Sequence, residues 1–243
     1  LDAALDGPSP LRRCVAEALG TGLLLAAIVG SGILGARLSA GNTGVALLAN
    51  ALATGAVLFA LIEWLAPISG AHFNPLVSLA MAFRGDIKLG VAAAYVPAQL
   101  LGGFAGVGLA DAMFGAPVFA QATHESSGST RTLAEFVATF GLLGIIWTCS
   151  RTRSAALPAI VAAYVVGIFW FTPTGYANPA VALARTLTDT PTGIRPQDIP
   201  ALLLGEAAGT ATAIALLTWL TPNPHTGSLV RRAPDRPNLK ARA

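Results

Sequence analysis

Two stretches of this sequence, 104 residues apart, read Asn74-Pro75-Leu76-Val77-Ser78-Leu79-Ala80 and Asn178-Pro179-Ala180-Val181-Ala182-Leu183-Ala184. Both follow the pattern Asn-Pro-x-Val-x-Leu-Ala. Two further pairs keep the same order along the chain. Ala16-Glu17-Ala18-Leu19-Gly20-Thr21 matches Ala134-Glu135-Phe136-Val137-Ala138-Thr139 at an offset of 118 residues, and Gln99-Leu100-Leu101-Gly102 matches Glu206-Ala207-Ala208-Gly209 at 107. The chain is therefore a duplication, and its fold must hold two copies of one unit.

Each copy contains three long apolar segments: about 12–34, 43–65 and 87–110 in the first, 132–150, 155–171 and 200–221 in the second. A transmembrane helix needs about 20 apolar residues. Only 11% of the 243 residues are charged and 54% are hydrophobic, against about 25% charged in soluble domains. That balance excludes a soluble disordered chain and argues against a soluble enzyme domain. Three spans per copy is an odd number, so the copies must lie in opposite orientations, as an inverted-topology repeat. The predicted fold class is an all-α membrane protein with six transmembrane helices, repeat one at about 12–110 and repeat two at about 132–221, forming one domain over 12–221. Residues 1–11 form an N-terminal segment, and the polar tail 222–243 is expected to be disordered.

Lysine and arginine placement sets the orientation. Arg12, Arg13, Arg84, Lys88, Arg151, Arg153 and five basic residues of the tail fall on one side, against Arg37, Arg131, Arg185 and Arg195 on the other. Both termini are thus expected in the cytoplasm, with the chain multi-pass in the inner (plasma) membrane. The net charge of +3 comes largely from the tail and does not suggest nucleic-acid binding. Cys14 and Cys149 fall at cytoplasmic helix ends, where they stay reduced and pack. His72, His124 and His225 are isolated from one another and from the cysteines, so no metal site is expected. No nucleophile–base pair stands out, and neither an enzyme nor a cofactor is expected.

Each Asn-Pro pair reads as the start of a short helix, with Asn as N-cap and Pro at the first helical position. The two predicted half-helices, 75–83 and 179–187, span about 13 Å each and cannot cross a ~30 Å core. Entering from opposite faces, their positive N-terminal ends would meet near the middle. Cations are repelled there, while Asn74 and Asn178 offer amide donors to an oxygen of a passing neutral molecule. Glu17 and Glu135 lie inside apolar spans. A carboxylate there relays protons in a coupled transporter or accepts N–H bonds from a loop at membrane depth. Matched positions in both copies favour loop bracing, with Gln99 and Glu206 in the same role. Glu63, near a span end, is ambiguous. Gly102-x-x-x-Gly106 predicts close helix packing.

With these motifs, the sequence resembles the aquaporin family over about residues 11–221. Asn178-Pro179-Ala180 matches the family signature fully. Asn74-Pro75-Leu76 departs at its third residue, where Ala is usual, and the bulkier Leu76 is expected to reshape the middle of the lumen. Ser69-Gly70-Ala71-His72-Phe73 also follows the family pattern, with His72 either lining the inner vestibule or bracing the loop. The resemblance implies a homotetramer in the lipid bilayer, one pore per subunit, and passive flux without a cofactor. Positive half-helix ends that exclude protons and cations are a known device of aquaporin-type pores.

Water-selective members carry an Arg directly after the second Asn-Pro-Ala, an aromatic residue in the second span and often a His in the fifth. Here the corresponding positions, counted from the two asparagines, are Val181, Thr54 and Val166, with Gly175 as the fourth. This set is small and uncharged. It implies a wider filter that passes larger neutral solutes and still rejects ions, because valine removes hydration without replacing it. Arg185, seven residues after Asn178, either swings back to replace the missing Arg or caps the half-helix and reaches a headgroup. The second reading is preferred, since Arg is favoured near a helix C-terminus. A filter without Arg resembles a bacterial subset found beside arsenic-resistance genes. The implied solutes are water, glycerol-like polyols, undissociated arsenous acid and methylated arsenicals. The alternatives are a water-selective channel and an ion-coupled secondary transporter.

Overall fold

The computed structural model describes residues 7–152 and 154–221; the tail expected over 222–243 and the first six residues lie outside them. Repeat one comprises α1 (Pro10–Leu38), α2 (Thr43–Ser69), α3 (Pro75–Arg84) and α4 (Leu89–Phe114). Repeat two comprises α5 (Ser129–Arg151), α6 (Leu157–Phe171), α7 (Pro179–Ala184), and α8 (Ile199–Leu220), with 3-10 turns at Arg185–Leu187 and Pro196–Asp198. The apolar segments of the sequence correspond to α1, α2, α4, α5, α6 and α8, and α3 and α7 are the half-helices.

Local chemistry sets the ends. Ser9 caps α1 ahead of Pro10, and Asn42 caps α2 by accepting the Val45 N–H at 3.1 Å. Gly70, Gly85 and Gly115 stop α2, α3 and α4 in the left-handed conformation. The helices α1, α2, α4 and α5, and α8 with its preceding turn, are long and apolar enough to cross a bilayer. The remaining span, α6, fifth in chain order, has 15 residues, about 22 Å, short of a ~30 Å core. It stops at Phe171 because Thr172 precedes Pro173 and is extended, as a residue before proline prefers.

Within repeat one α4 lies along α1, and within repeat two α8 lies along α5; α2 and α6 join the repeats. The backbones touch at matched glycines. A Cβ on Gly102 would overlap the Ala18 carbonyl, and one on Gly209 would overlap the Phe136 carbonyl. Gly106 similarly sits on Gly22, and Gly205 on Thr132. Close approach of this kind needs residues without side chains. The interior is filled by side chains such as Leu25, Val29, Leu58, Leu65 and Phe73. Phe59, Trp64, Leu101 and Leu204 point outward and are exposed, which is favourable against lipid and unfavourable against water.

Candidate functional site

The half-helices meet tip to tip. The Asn74 side-chain oxygen accepts the Leu76 N–H at 2.9 Å, and that of Asn178 accepts the Ala180 and Val181 N–H groups at 3.0 and 3.4 Å. Each amide nitrogen then crosses to the other repeat. Asn74 Nδ2 donates to the Ala177 carbonyl at 2.7 Å, and Asn178 Nδ2 donates to the Phe73 carbonyl at 2.8 Å. Phe73 and Ala177 have φ of 49° and 47°, a left-handed conformation that is strained for residues with a side chain. The crossing bonds use the carbonyls of these two strained residues.

Four buried polar side chains hold the loops that lead into these tips. Glu17 Oε1 accepts from Ser69 Oγ at 2.6 Å and the His72 N–H at 3.0 Å, and Oε2 accepts from the Phe73 N–H at 2.7 Å and Gln99 Nε2 at 2.8 Å. Gln99 Nε2 also reaches Ser78 Oγ at 3.0 Å. In repeat two Glu135 accepts the Tyr176 and Ala177 N–H groups at 3.2 and 2.8 Å. Glu206 Oε1 accepts the Asn178 N–H at 2.9 Å. All four residues are inaccessible to solvent. His72 donates its backbone N–H to Glu17, and its Nδ1 lies 3.0 Å from Ser78 Oγ. Glu63 is exposed on α2, away from this network.

A cavity of about 270 Å³ runs past the tips, from Asp86 and Ser150 at one end to Phe169 and Arg185 at the other. One wall is apolar, formed by residues such as Leu58, Ile62, Leu142, Val161 and Ile168. The other consists of the loop segments Gly70–Asn74 and Gly175–Asn178. Among the described residues, no donor reaches the carbonyls of Gly70, Ala71, His72, Gly175 or Tyr176. The segments opposite the apolar wall therefore carry backbone acceptors with no protein donor among the described residues. At the Asp86 end, Arg84 donates to the Trp147 carbonyl at 2.6 Å and Ser150 Oγ at 2.7 Å, and pairs with Asp86.

The cavity brings together Thr54, Gly175 and Val181 with Asn74 and Asn178. Thr54 is 2% exposed, and its hydroxyl has no partner among the described residues. Val166 is not on this wall. Its side chain packs where a Cβ on Gly55 would be, between α2 and α6, and the neighbouring Val165 lines the cavity instead. Counting 12 residues back from Asn178 crosses the irregular stretch 172–177, which has no helical period to carry the register. Leu76 does not line the cavity either; Asn74, Val77 and Met81 do, so the departure from Ala does not fall on the lumen. Arg185 is the C-cap of α7, as the sequence reading preferred, but its side chain does not reach a headgroup. It lines the cavity rather than reaching away from it, with Nε donating to the Thr192 carbonyl and its guanidinium carbon 4.5 Å from the Tyr176 ring centre. The sequence reading missed the apolar wall of Leu58, Ile62, Leu142, Val161 and Ile168, and it misplaced the roles of Val165 and Arg185. The spacing of Asn178, Val181 and Arg185 at i, i+3 and i+7 was the signal available for the arginine. Cys14 and Cys149 are half-buried and unpaired, with Cys14 Sγ 3.8 Å from the Ala94 carbonyl.

Residues 5–174 match the profile of the family described as MIP, major intrinsic protein. The chain belongs to the major intrinsic protein family. It is 49% identical over 210 residues to aquaglyceroporin AqpS of Rhizobium meliloti (strain 1021), covering 86% of this chain and 90% of that protein. It is 33% identical over 225 residues to the probable aquaporin PIP2-8 of Oryza sativa subsp. japonica, covering 87% and 76%. In fold it is similar to the X-ray structure of the aquaglyceroporin from Plasmodium falciparum, with TM-score 0.68 and 22% identity, covering 86% of this chain and 96% of that one. Family membership and the apolar spans make the chain a multi-pass membrane channel.

Proposed function

We propose that this channel conducts small neutral solutes: water, glycerol-like polyols, undissociated arsenous acid and methylated arsenicals. The observation that carries this reading is the two-sided cavity, with free carbonyls opposite an apolar wall. A polyol presents hydroxyls on one side and C–H groups on the other, so each face of the solute finds its match. Undissociated arsenous acid is likewise a small uncharged polyhydroxy molecule. The similarity to two aquaglyceroporins points the same way.

The selectivity region in this reading is Thr54, Val165, Gly175 and Val181, small and uncharged around a lumen with no Arg after Ala180. Asn74 and Asn178 give a solute oxygen its donors at the midpoint, where the two helix N-termini disfavour cations. Glu17, Gln99, Glu135 and Glu206 act as braces that hold the loop carbonyls toward the lumen. The functional domain is 12–221, in the inner (plasma) membrane with both termini cytoplasmic. The assembly is a homotetramer with one pore per subunit, and transport is passive, with no chemical step or cofactor.

The test is stopped-flow light scattering on proteoliposomes in a glycerol gradient. Shrinkage followed by rapid re-swelling, both faster than in protein-free liposomes, is the expected result. Shrinkage without re-swelling would establish a water-selective channel instead, and flux that depends on a proton or sodium gradient would establish a coupled transporter. Val181→Arg narrows the proposed filter and should slow re-swelling about tenfold, equivalent to about 1.4 kcal/mol. Unchanged re-swelling in that variant would remove Val181 from the filter.

A further inference from the structure

The charge that Val181 lacks reappears one helical turn later. Arg185 N–H bonds to the Val181 carbonyl, so the two side chains follow each other on one face, about 6 Å apart along the axis. Long side chains on a helix lean back toward its N-terminus. The Arg185 side chain does so, and its guanidinium stacks on Tyr176, the residue after Gly175. It thus returns to the level of the loop that lines the cavity.

The arginine is held in place. Nε donates to the Thr192 carbonyl, and the Ile194 N–H bonds to the Arg185 carbonyl at 3.0 Å. The Thr192 segment is pinned by a buried hydroxyl chain: Thr188 Oγ1 donates to Asp111 Oδ1 at 2.7 Å and lies 3.0 Å from Thr190 Oγ1, which lies 3.4 Å from Thr192 Oγ1. Tyr176 is fixed in turn through Ser126 at 2.9 Å. Only Nε of the guanidinium is engaged. Among the described residues, neither Nη group makes a hydrogen bond and no carboxylate forms an ion pair with Arg185. An unpaired cation anchored at the wall of a membrane pore is costly to keep there.

We propose that Arg185 is a selectivity residue at the mouth of the pore, supplying from a shifted chain position a fixed positive charge and free Nη donors. The charge raises the barrier to protons and metal cations, and the donors bind an oxygen of a neutral solute as it enters. The pore thus combines small, neutral filter side chains with a fixed charge that folds back beside them from one helical turn further along the chain. This inference rests on the channel reading above.

The experiment compares the parent, Arg185→Gln and Arg185→Lys in proteoliposomes at equal incorporated protein. Proton leak is read with an entrapped pH dye under a potassium diffusion potential, separately from glycerol re-swelling. Arg185→Gln should raise the proton leak about tenfold, as expected for losing a unit charge near the ion path. Arg185→Lys keeps the charge and should stay within about threefold of the parent. A Gln variant that leaks no more than the parent overturns the proposal. Should the Gln variant not fold, a Lys variant that leaks about tenfold more than the parent overturns it equally. Absence of glycerol re-swelling in the parent would sink the polyol reading alone, because the leak does not depend on it.

Discussion

The two repeats agree at the midpoint and differ at the mouths. In both, a glutamate on the first helix accepts the N–H groups of the two residues before the Asn: His72 and Phe73 on Glu17, Tyr176 and Ala177 on Glu135. In both, the residue before the Asn is left-handed and its carbonyl receives the other repeat's Asn. The half-helices then diverge. α3 runs 10 residues and stops at Gly85 in a left-handed cap, with Arg84 turned to Trp147 and Ser150. α7 runs 6 residues, has no glycine to stop it, and tightens into a 3-10 turn that carries Arg185 onto the cavity wall. The bonds between the half-helices tie the two tips together, so a change in one must suit the other. The mouths draw on both repeats, but no matched bond ties one mouth to the other: Arg84 reaches Trp147 and Ser150 at one end, and Thr188 reaches Asp111 near Arg185 at the other.

The braces differ too, and that difference sets the largest expected effect. Glu17 takes four donors, Glu135 two. Leaving a buried donor unsatisfied costs about 1–3 kcal/mol. Glu17→Ala should therefore cost about 4 kcal/mol or more, and Glu135→Ala about 2–3 kcal/mol. Unfolding midpoints of detergent-purified protein should fall in that order; the reverse order would mean that loop satisfaction does not control stability.

The left-handed residues offer the next contrast. Phe73 is buried against Gly20, and Phe73→Gly should cost about 3 kcal/mol, because the lost aromatic packing outweighs the relieved strain. Ala177→Gly removes strain and almost no packing, and should stabilise by up to about 1 kcal/mol. Equal losses from both would show that neither backbone is strained.

The accessory braces give the third contrast, and it includes the smallest expected effect. Gln99→Glu removes the donor to Glu17 and sets two carboxylates together, costing about 2 kcal/mol. Glu206 faces Glu135, and its Oε2 has no partner among the described residues. Glu206→Gln gives that position a donor while Oε1 keeps the Asn178 N–H, so it should be neutral or stabilising by less than about 1 kcal/mol. If Glu206→Gln instead destabilised as much as Gln99→Glu, the two sites would not be alternative solutions to one problem.

Much of this was legible in the chain. Offsets between matched motifs gave the duplication, and an odd number of apolar segments gave the inversion. Asn-Pro pairs marked both half-helix starts, because capping and the proline ring act locally. Carboxylates at matched positions in apolar spans pointed to bracing, because loop amides at membrane depth need acceptors. The sequence also located Thr54, Gly175 and Val181, which the structure gathers on one cavity. It did not reveal that each Asn bonds across the repeats to the carbonyl before the other, since that requires two left-handed residues to be brought face to face. It placed Val166 where Val165 stands, because residues 172–177 follow no helical period. It put Leu76 in the lumen because the motif is read in order, whereas a helix presents only one face. Arg185 was decided by contacts far along the chain from its own helix. Thr192, Asp111 and Ser126 fix the loop and the ring against which its side chain folds back. Local rules determined where helices begin and which groups need partners. The direction of a long side chain at a pore mouth was settled only by the surfaces that tertiary packing placed around it.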